Sequence, residues 1–229
     1  MSDIKWHVPF SPTIMETTVS EKFLSIVNKV GDEVLNDEEK SNKFDFSDNL
    51  VGKVHKEVKI PLEDDEQDYV NGELKDACIL YFNKMNENGH KIQLYANNNQ
   101  HFDITQKNIN ITQSWIVSQY KNEYNPWHKH SGNFSGVCYL KLPEGMQDHF
   151  NEEVKDHYPA SGLIEFSYGE PSDMRSDTLM FKPEVGMMIV FPSWLKHTVY
   201  PFYCDGERRS MSFNAYFVTD AQIEARKKV

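Results

Sequence analysis

The sequence predicts a mainly β fold with flanking helices. From about residue 92 onward apolar and polar residues alternate with a period of two, in short runs separated by Gly, Pro and Asn, whereas the first part of the chain carries two apolar stripes at helical spacing. Many short strands of this kind fit a sandwich or a jelly roll. The 229 residues, 39% hydrophobic, suffice for one domain with a sizeable core.

In chain order, the first stripe is Val19, Phe23, Ile26, Val27, Val30 and Val34, with Thr18 or Ser20 placed to cap it. The second is Val70, Leu74, Ala77, Cys78, Tyr81 and Met85. An acidic entry, Glu63 to Glu66, precedes it where negative charge complements the helix dipole. Residues 1–100 are thus expected to form a helical, mixed buttress of the same domain, and residues 101–229 its β core. Strands are expected at 92–96, 111–120, 135–142, 163–168, 187–191, 198–202 and 209–217, and a last helix at 220–228. The stretches 143–161 and 169–183 read as long loops, the kind that serve as lids.

Charge and composition narrow the function. A net charge of −11 argues against nucleic acid, whose readers carry basic surfaces. No run approaches the ~20 apolar residues of a membrane helix, and the first residues lack a signal peptide's apolar stretch, so a cytoplasmic location is expected. Cys78, Cys138 and Cys204 are far apart and without CxxC spacing. They suit neither a disulfide framework nor a cysteine zinc site, and Cys138 reads as a buried thiol.

Three segments carry chemistry. In Asn125-Pro126-Trp127-His128-Lys129-His130, residues two apart on an extended chain share a side, so both imidazoles can aim at one point. In the run from Gly186 to His197, an apolar strand enters a Pro-Ser turn and a histidine opens the next strand. In Glu207 to Phe217, alternation puts Arg208, Ser210, Ser212, Asn214 and Tyr216 on one face and Arg209, Met211, Phe213, Ala215 and Phe217 on the other. If the polar face points into a barrel, the Arg208 guanidinium needs an anionic partner, and its planar fork fits a carboxylate. Alternatively, Arg208 lies outside, paired with Glu207 or another acid.

The stretches 125–143, 186–201 and 207–214, in this order and spacing, resemble the Fe(II)/2-oxoglutarate-dependent oxygenases, in particular a branch from bacteria and tailed phages distantly akin to prolyl hydroxylases. The resemblance implies a double-stranded β-helix, a jelly roll with iron(II) in one open end and 2-oxoglutarate as co-substrate. It matches His128 and His197 to the iron histidines, and Arg208 and Ser210 to the residues that hold the far carboxylate of 2-oxoglutarate. Tyr139 matches a tyrosine on that carboxylate, and Tyr120 is a further candidate. The sequence departs from the family at one position, because His130 stands where the carboxylate ligand is usual. Either His130 completes an all-histidine site, or a carboxylate such as Glu165 or Asp148 does, or only two side chains ligate. A small-molecule or peptide substrate is implied. Trp127 and Trp194 flank the histidines and either line the mouth or pack on the sheet. Two other readings stay open: a cupin-type three-histidine enzyme without 2-oxoglutarate, and a non-catalytic jelly-roll module.

Overall fold

A computed structural model describes residues 12–49, 51–87, 104–146, 159–173 and 175–226. Its ten strands are β1 Met15–Thr18, β2 Lys56–Lys59, β3 Ile109–Gln119, β4 Asn125–His128, β5 Phe134–Lys141, β6 Ile164–Ser167, β7 Thr178–Phe181, β8 Met187–Pro192, β9 Lys196–Val199 and β10 Arg208–Phe217. They form two antiparallel sheets, a large one in the order β1-β8-β5-β10-β3-β2 and a small one in the order β4-β9-β6-β7. This is the expected mainly β, two-sheet architecture of a jelly roll.

The helices explain the period change in the sequence. Helix α1, Glu21–Leu35, starts where the Ser20 hydroxyl accepts the Phe23 amide, and it buries Phe23, Val27, Val30 and Val34. Ser20 is held in turn by Glu73, which accepts both its amide and its hydroxyl. Short α2 covers Glu38–Lys43, and α3, Asp64–Glu87, begins at the acidic entry and buries Val70, Leu74, Cys78 and Tyr81. Both long helices pack on the outer face of the large sheet, against Cys138, Leu140, Met188, Val190, Met211, Phe213 and Ala215. Full burial of each large apolar side chain contributes about 1.5–3 kcal/mol, so this layer is a main source of stability. A second core, inside the two sheets, holds Val137, Tyr139, Ile164, Phe166, Ile189, Phe191 and Val199. Helix α4 covers Asp220–Arg226.

Several expectations need correction. Residues 178–181 are strand β7, so 169–183 is not one loop: Thr178 to Phe181 pair with Ser167 to Ile164. Strands β1, β2 and β4 are four residues each, too short for alternation to register, and β1 and β2 bring the N-terminal part into the large sheet beside β8 and β3. The strand expected at 198–202 runs instead from Lys196 to Val199. The strand expected at 92–96, most of the loop expected at 143–161, Asp148 and the end of the last helix lie outside the described residues. All three cysteines are free and buried, and burial pushes the Cys138 thiol up.

Candidate metal centre and cofactor pocket

Strands β4 and β9 and the loop after β4 assemble the histidine cluster. Antiparallel pairing of β4 with β9 sets His128 opposite His197, and the Thr198 hydroxyl donates to the Asn125 carbonyl to lock the pair. His130 lies just past β4, where its amide donates to the Ser193 carbonyl in the β8–β9 turn. The Ser193 hydroxyl donates back to the Gly132 carbonyl, so two loops clip each other and carry His130 over the cluster.

One ring nitrogen from each of His128, His130 and His197 lies within 4.8 Å of the others. Nε2 of His130 is 3.2 Å from Nε2 of His197. Two imidazole nitrogens sharing one metal ion at about 2.0–2.1 Å each sit roughly 3 Å apart, so this pair has the spacing of co-ligands. Nδ1 of His128 is 2.7 Å from the Pro126 carbonyl and Nδ1 of His197 is 3.1 Å from the Leu195 carbonyl. Each carbonyl fixes a proton on Nδ1 and leaves the Nε2 lone pair for a metal. Burial holds all three imidazoles below their ordinary range, His130 down to about 4 and His197 well below, with the neighbouring histidines adding to the effect in those two. The rings are therefore neutral at pH 7, the state that ligates.

Glu165 does not join them. On β6 it alternates with Ile164 and Phe166, which pack in the interior, and its carboxylate accepts the Tyr200 hydroxyl. Among the described residues the cluster is all histidine.

The same cavity, about 540 Å³ including its open mouth, is lined by the three histidines, Arg208, Ser210 and Ser212. The tandem arginines of β10 have opposite fates. Arg209 faces outward beneath α1, where Glu207 takes it in two parallel hydrogen bonds of 2.8 and 2.9 Å and Asp32 accepts from its third nitrogen. Arg208 faces inward and is 2% exposed. Its Nη1 donates to the Gln119 amide oxygen, Gln119 donates to Asn125, and Asn125 donates to the Val51 carbonyl. Arg208 Nε and Nη2 and the Tyr139 hydroxyl are buried and find no hydrogen-bond partner among the described residues. The guanidinium carbon lies 5.1 Å from the Tyr139 ring centre. Buried donors left open on a cation are costly. The two on Arg208 of β10, together with the Tyr139 hydroxyl of β5, have the chemistry to receive a carboxylate.

Tyr120 does not line this cavity. It follows Gln119, whose side chain shares the inner face with Trp115 and Val117, so alternation turns Tyr120 outward. It is 40% exposed and meets His55 edge-on. Gln119 and Asn125 escape the sequence reading: their roles depend on the register that sets Gln119 opposite Arg208. Trp127 and Trp194 are about half exposed, so neither packs into the sheet, and Trp194 lies against Tyr168.

Residues 113–214, a little under half of the chain, match the model of the family described as "Putative 2OG-Fe(II) oxygenase". Over these residues the chain is similar to the 2OG-Fe(II) oxygenases. Iron(II) and 2-oxoglutarate are the cofactor and co-substrate of that family, and the three-histidine cluster fits the metal. Over most of its length the chain is similar in fold to a prolyl hydroxylase from Trichoplax adhaerens, solved in complex with a hypoxia inducible factor oxygen degradation domain peptide fragment. The two share 13% identity at a TM-score of 0.51, over 93% of this chain and 86% of that one. A prolyl-4-hydroxylase from Pseudomonas putida aligns at 13% identity and TM-score 0.45, over 89% of this chain and 91% of its own. An oxidoreductase of the 2OG-Fe(II) oxygenase family from Burkholderia pseudomallei aligns at 18% identity and TM-score 0.33. That last match spans less than half of either chain, 47% of this one and 43% of that one. No curated protein matches the chain. No helix of the described residues is long and apolar enough to cross a membrane.

Proposed function

We propose that this chain is a 2OG-Fe(II) oxygenase that hydroxylates a small molecule or a peptide, with iron(II) held by His128, His130 and His197 and the far carboxylate of 2-oxoglutarate held by Arg208, Tyr139 and Ser210. The observation that carries the reading is the set of buried donors without partners among the described residues, Arg208 Nε and Nη2 and the Tyr139 hydroxyl, with Arg208 lining the same cavity as the histidines. A cupin-type enzyme that does not use 2-oxoglutarate leaves those donors without a purpose.

When bound, iron and 2-oxoglutarate supply the oxidising chemistry, with dioxygen consumed and succinate and carbon dioxide released. The chain's own residues bind and orient. Arg208 gives a two-pronged grip that fixes the co-substrate's direction. Gln119 and Asn125 hold the guanidinium in place, and Asn125 also belongs to the strand that ends in His128. This ties the carboxylate socket to the metal strand. The backbone carbonyls of Pro126 and Leu195 keep two imidazoles in the ligating tautomer. Phe166 and Phe191 pack beside His197 and exclude water from that side. An all-histidine site carries one negative charge fewer than a site with a carboxylate, which favours the binding of dianionic 2-oxoglutarate.

Purified protein with iron(II) should consume 2-oxoglutarate and release succinate, and calorimetry should show 2-oxoglutarate binding that is lost in Arg208→Ala. Absence of 2-oxoglutarate binding to the metal-loaded wild-type protein sinks the proposal. His130→Ala should weaken iron(II) binding by at least tenfold; unchanged affinity and turnover would remove His130 from the ligand set.

A further inference from the structure

A buried carboxyl group in the cavity takes no part in holding metal or co-substrate. Glu57 lies in the middle of β2 and is 3% exposed, yet its side chain lines the same cavity as the histidines and Arg208. The strand register fixes its place. Tyr139 pairs with Ser210, Ser210 with Val117, and Val117 with Glu57, so the four form one row across β5, β10, β3 and β2. The flanking Val58 points the other way, into the core beneath the helices. Successive strands are about 4.8 Å apart, which sets Glu57 roughly 10 Å from Ser210, at the opposite end of that row from Tyr139.

A carboxylate removed from water there needs a reason. Desolvation pushes its pKa up to about 7, and the Asn125 amide only partly offsets this. On the outer face of the sheet the buried acid Glu207 is matched by the cations Arg209 and Lys141. Glu57 faces the cavity instead, where a ligand can supply the partner. The net charge of −11 adds a field that draws cations toward the protein.

We propose that Glu57 is a specificity-determining residue that receives a cationic nitrogen of the substrate, so that the substrate class is amine- or guanidine-bearing. The inference rests on the reading of the cavity as an oxygenase site. Opposite ends of the cavity then carry opposite charges: Arg208 takes the anionic co-substrate and Glu57 the cationic group of the molecule to be oxidised.

The test uses protein loaded with iron(II) and 2-oxoglutarate without oxygen, so that binding is read without turnover. Free L-lysine and L-arginine, and short capped peptides carrying one Lys or Arg, are compared by calorimetry with norleucine and a capped norleucine peptide. The expected result is at least tenfold tighter binding of the cationic probes, with the free and capped arms showing whether a metabolite or a peptide side chain is preferred. In Glu57→Gln that preference should vanish while the affinity for 2-oxoglutarate stays within twofold, which also reports an intact fold. Equal affinity for charged and neutral probes in the wild-type protein overturns the proposal, as does no binding of any cationic probe. A preference that survives in Glu57→Gln overturns it as well. Should Glu57→Gln not fold, the wild-type comparison still decides. Failure of 2-oxoglutarate to bind the wild-type protein is a separate outcome: it strikes the oxygenase reading of the site, while the charge preference of the metal-loaded protein still judges Glu57.

Discussion

Arg208 and Arg209 are adjacent and chemically identical, but their neighbours give them different work. Arg209 has two carboxylates and a solvent-facing helix above it, whereas Arg208 has one amide oxygen and two open donors. A buried guanidinium with open donors destabilises the ligand-free protein. Arg208→Met should therefore leave the melting temperature of ligand-free protein unchanged or raise it, while weakening 2-oxoglutarate binding by about 3 kcal/mol or more, over a hundredfold. Scanning calorimetry and titration check the two halves, and a large loss of stability would show that Arg208 is structural. The histidines give a pH prediction. Unfolded imidazole titrates near 6.5, but folded His130 does so at about 4. Between these values the unfolded chain holds more protons, so the stability of metal-free protein is full above pH 6.5 and falls as the pH drops toward 4. Carboxylates contribute to the same acid limb. The sign is therefore read from the difference between wild type and His130→Ala, in which the fall should be shallower.

At the level of elements, β10 organises the molecule. Its inner face supplies Arg208, Ser210 and Ser212 to the cavity, and its outer face supplies Met211, Phe213 and Ala215 to the helical layer. The fit against β5 is close at Gly136. A Cβ added there would stand 2.3 Å from the Phe213 ring and 3.0 Å from the Ile189 carbonyl oxygen. Phe213 is fully buried and the carbonyl belongs to a paired strand, so neither yields. Gly136→Ala should cost about 1–3 kcal/mol, seen as a melting temperature lower by several degrees. A neutral result would show that the β5–β10 pair can shift. The alternation of β10 assigns both faces from sequence alone, because ten residues of period two leave little ambiguity. The four-residue strands β1, β2, β4 and β7 give no such signal. That is why Glu57, on β2, was not found by pattern.

At the scale of the whole molecule, the first part of the chain is woven into the β core. It contributes β1 and β2 to the large sheet and α1 and α3 to its outer cover. We expect residues 1–100 and 101–229 to act as one folding unit. Expressed alone, residues 101–229 would expose Met188, Val190, Met211, Phe213 and Ala215 to water. The fragment should be insoluble or bind a hydrophobic dye strongly, whereas a soluble fragment with a sharp melting transition would make the N-terminal part a separate accessory.

The sequence by itself determined the class of fold and pointed to His128 and His197 as candidate metal ligands, with the third position left open between His130 and a carboxylate. Period-two alternation over long strands, the H-x-H spacing and the position of His197 at a strand start are local properties of the chain. So is the inward face of Arg208, which alternation assigns once the barrel is granted. Tertiary structure alone decided which groups complete the site. Glu165 turned away from the histidines and Tyr120 turned outward, because each sits one residue out of phase with an inward neighbour. Asn125 and Glu57 reached the cavity, and Gln119 reached Arg208, through strand register, which relates residues far apart in the chain and is set only when the sheets close.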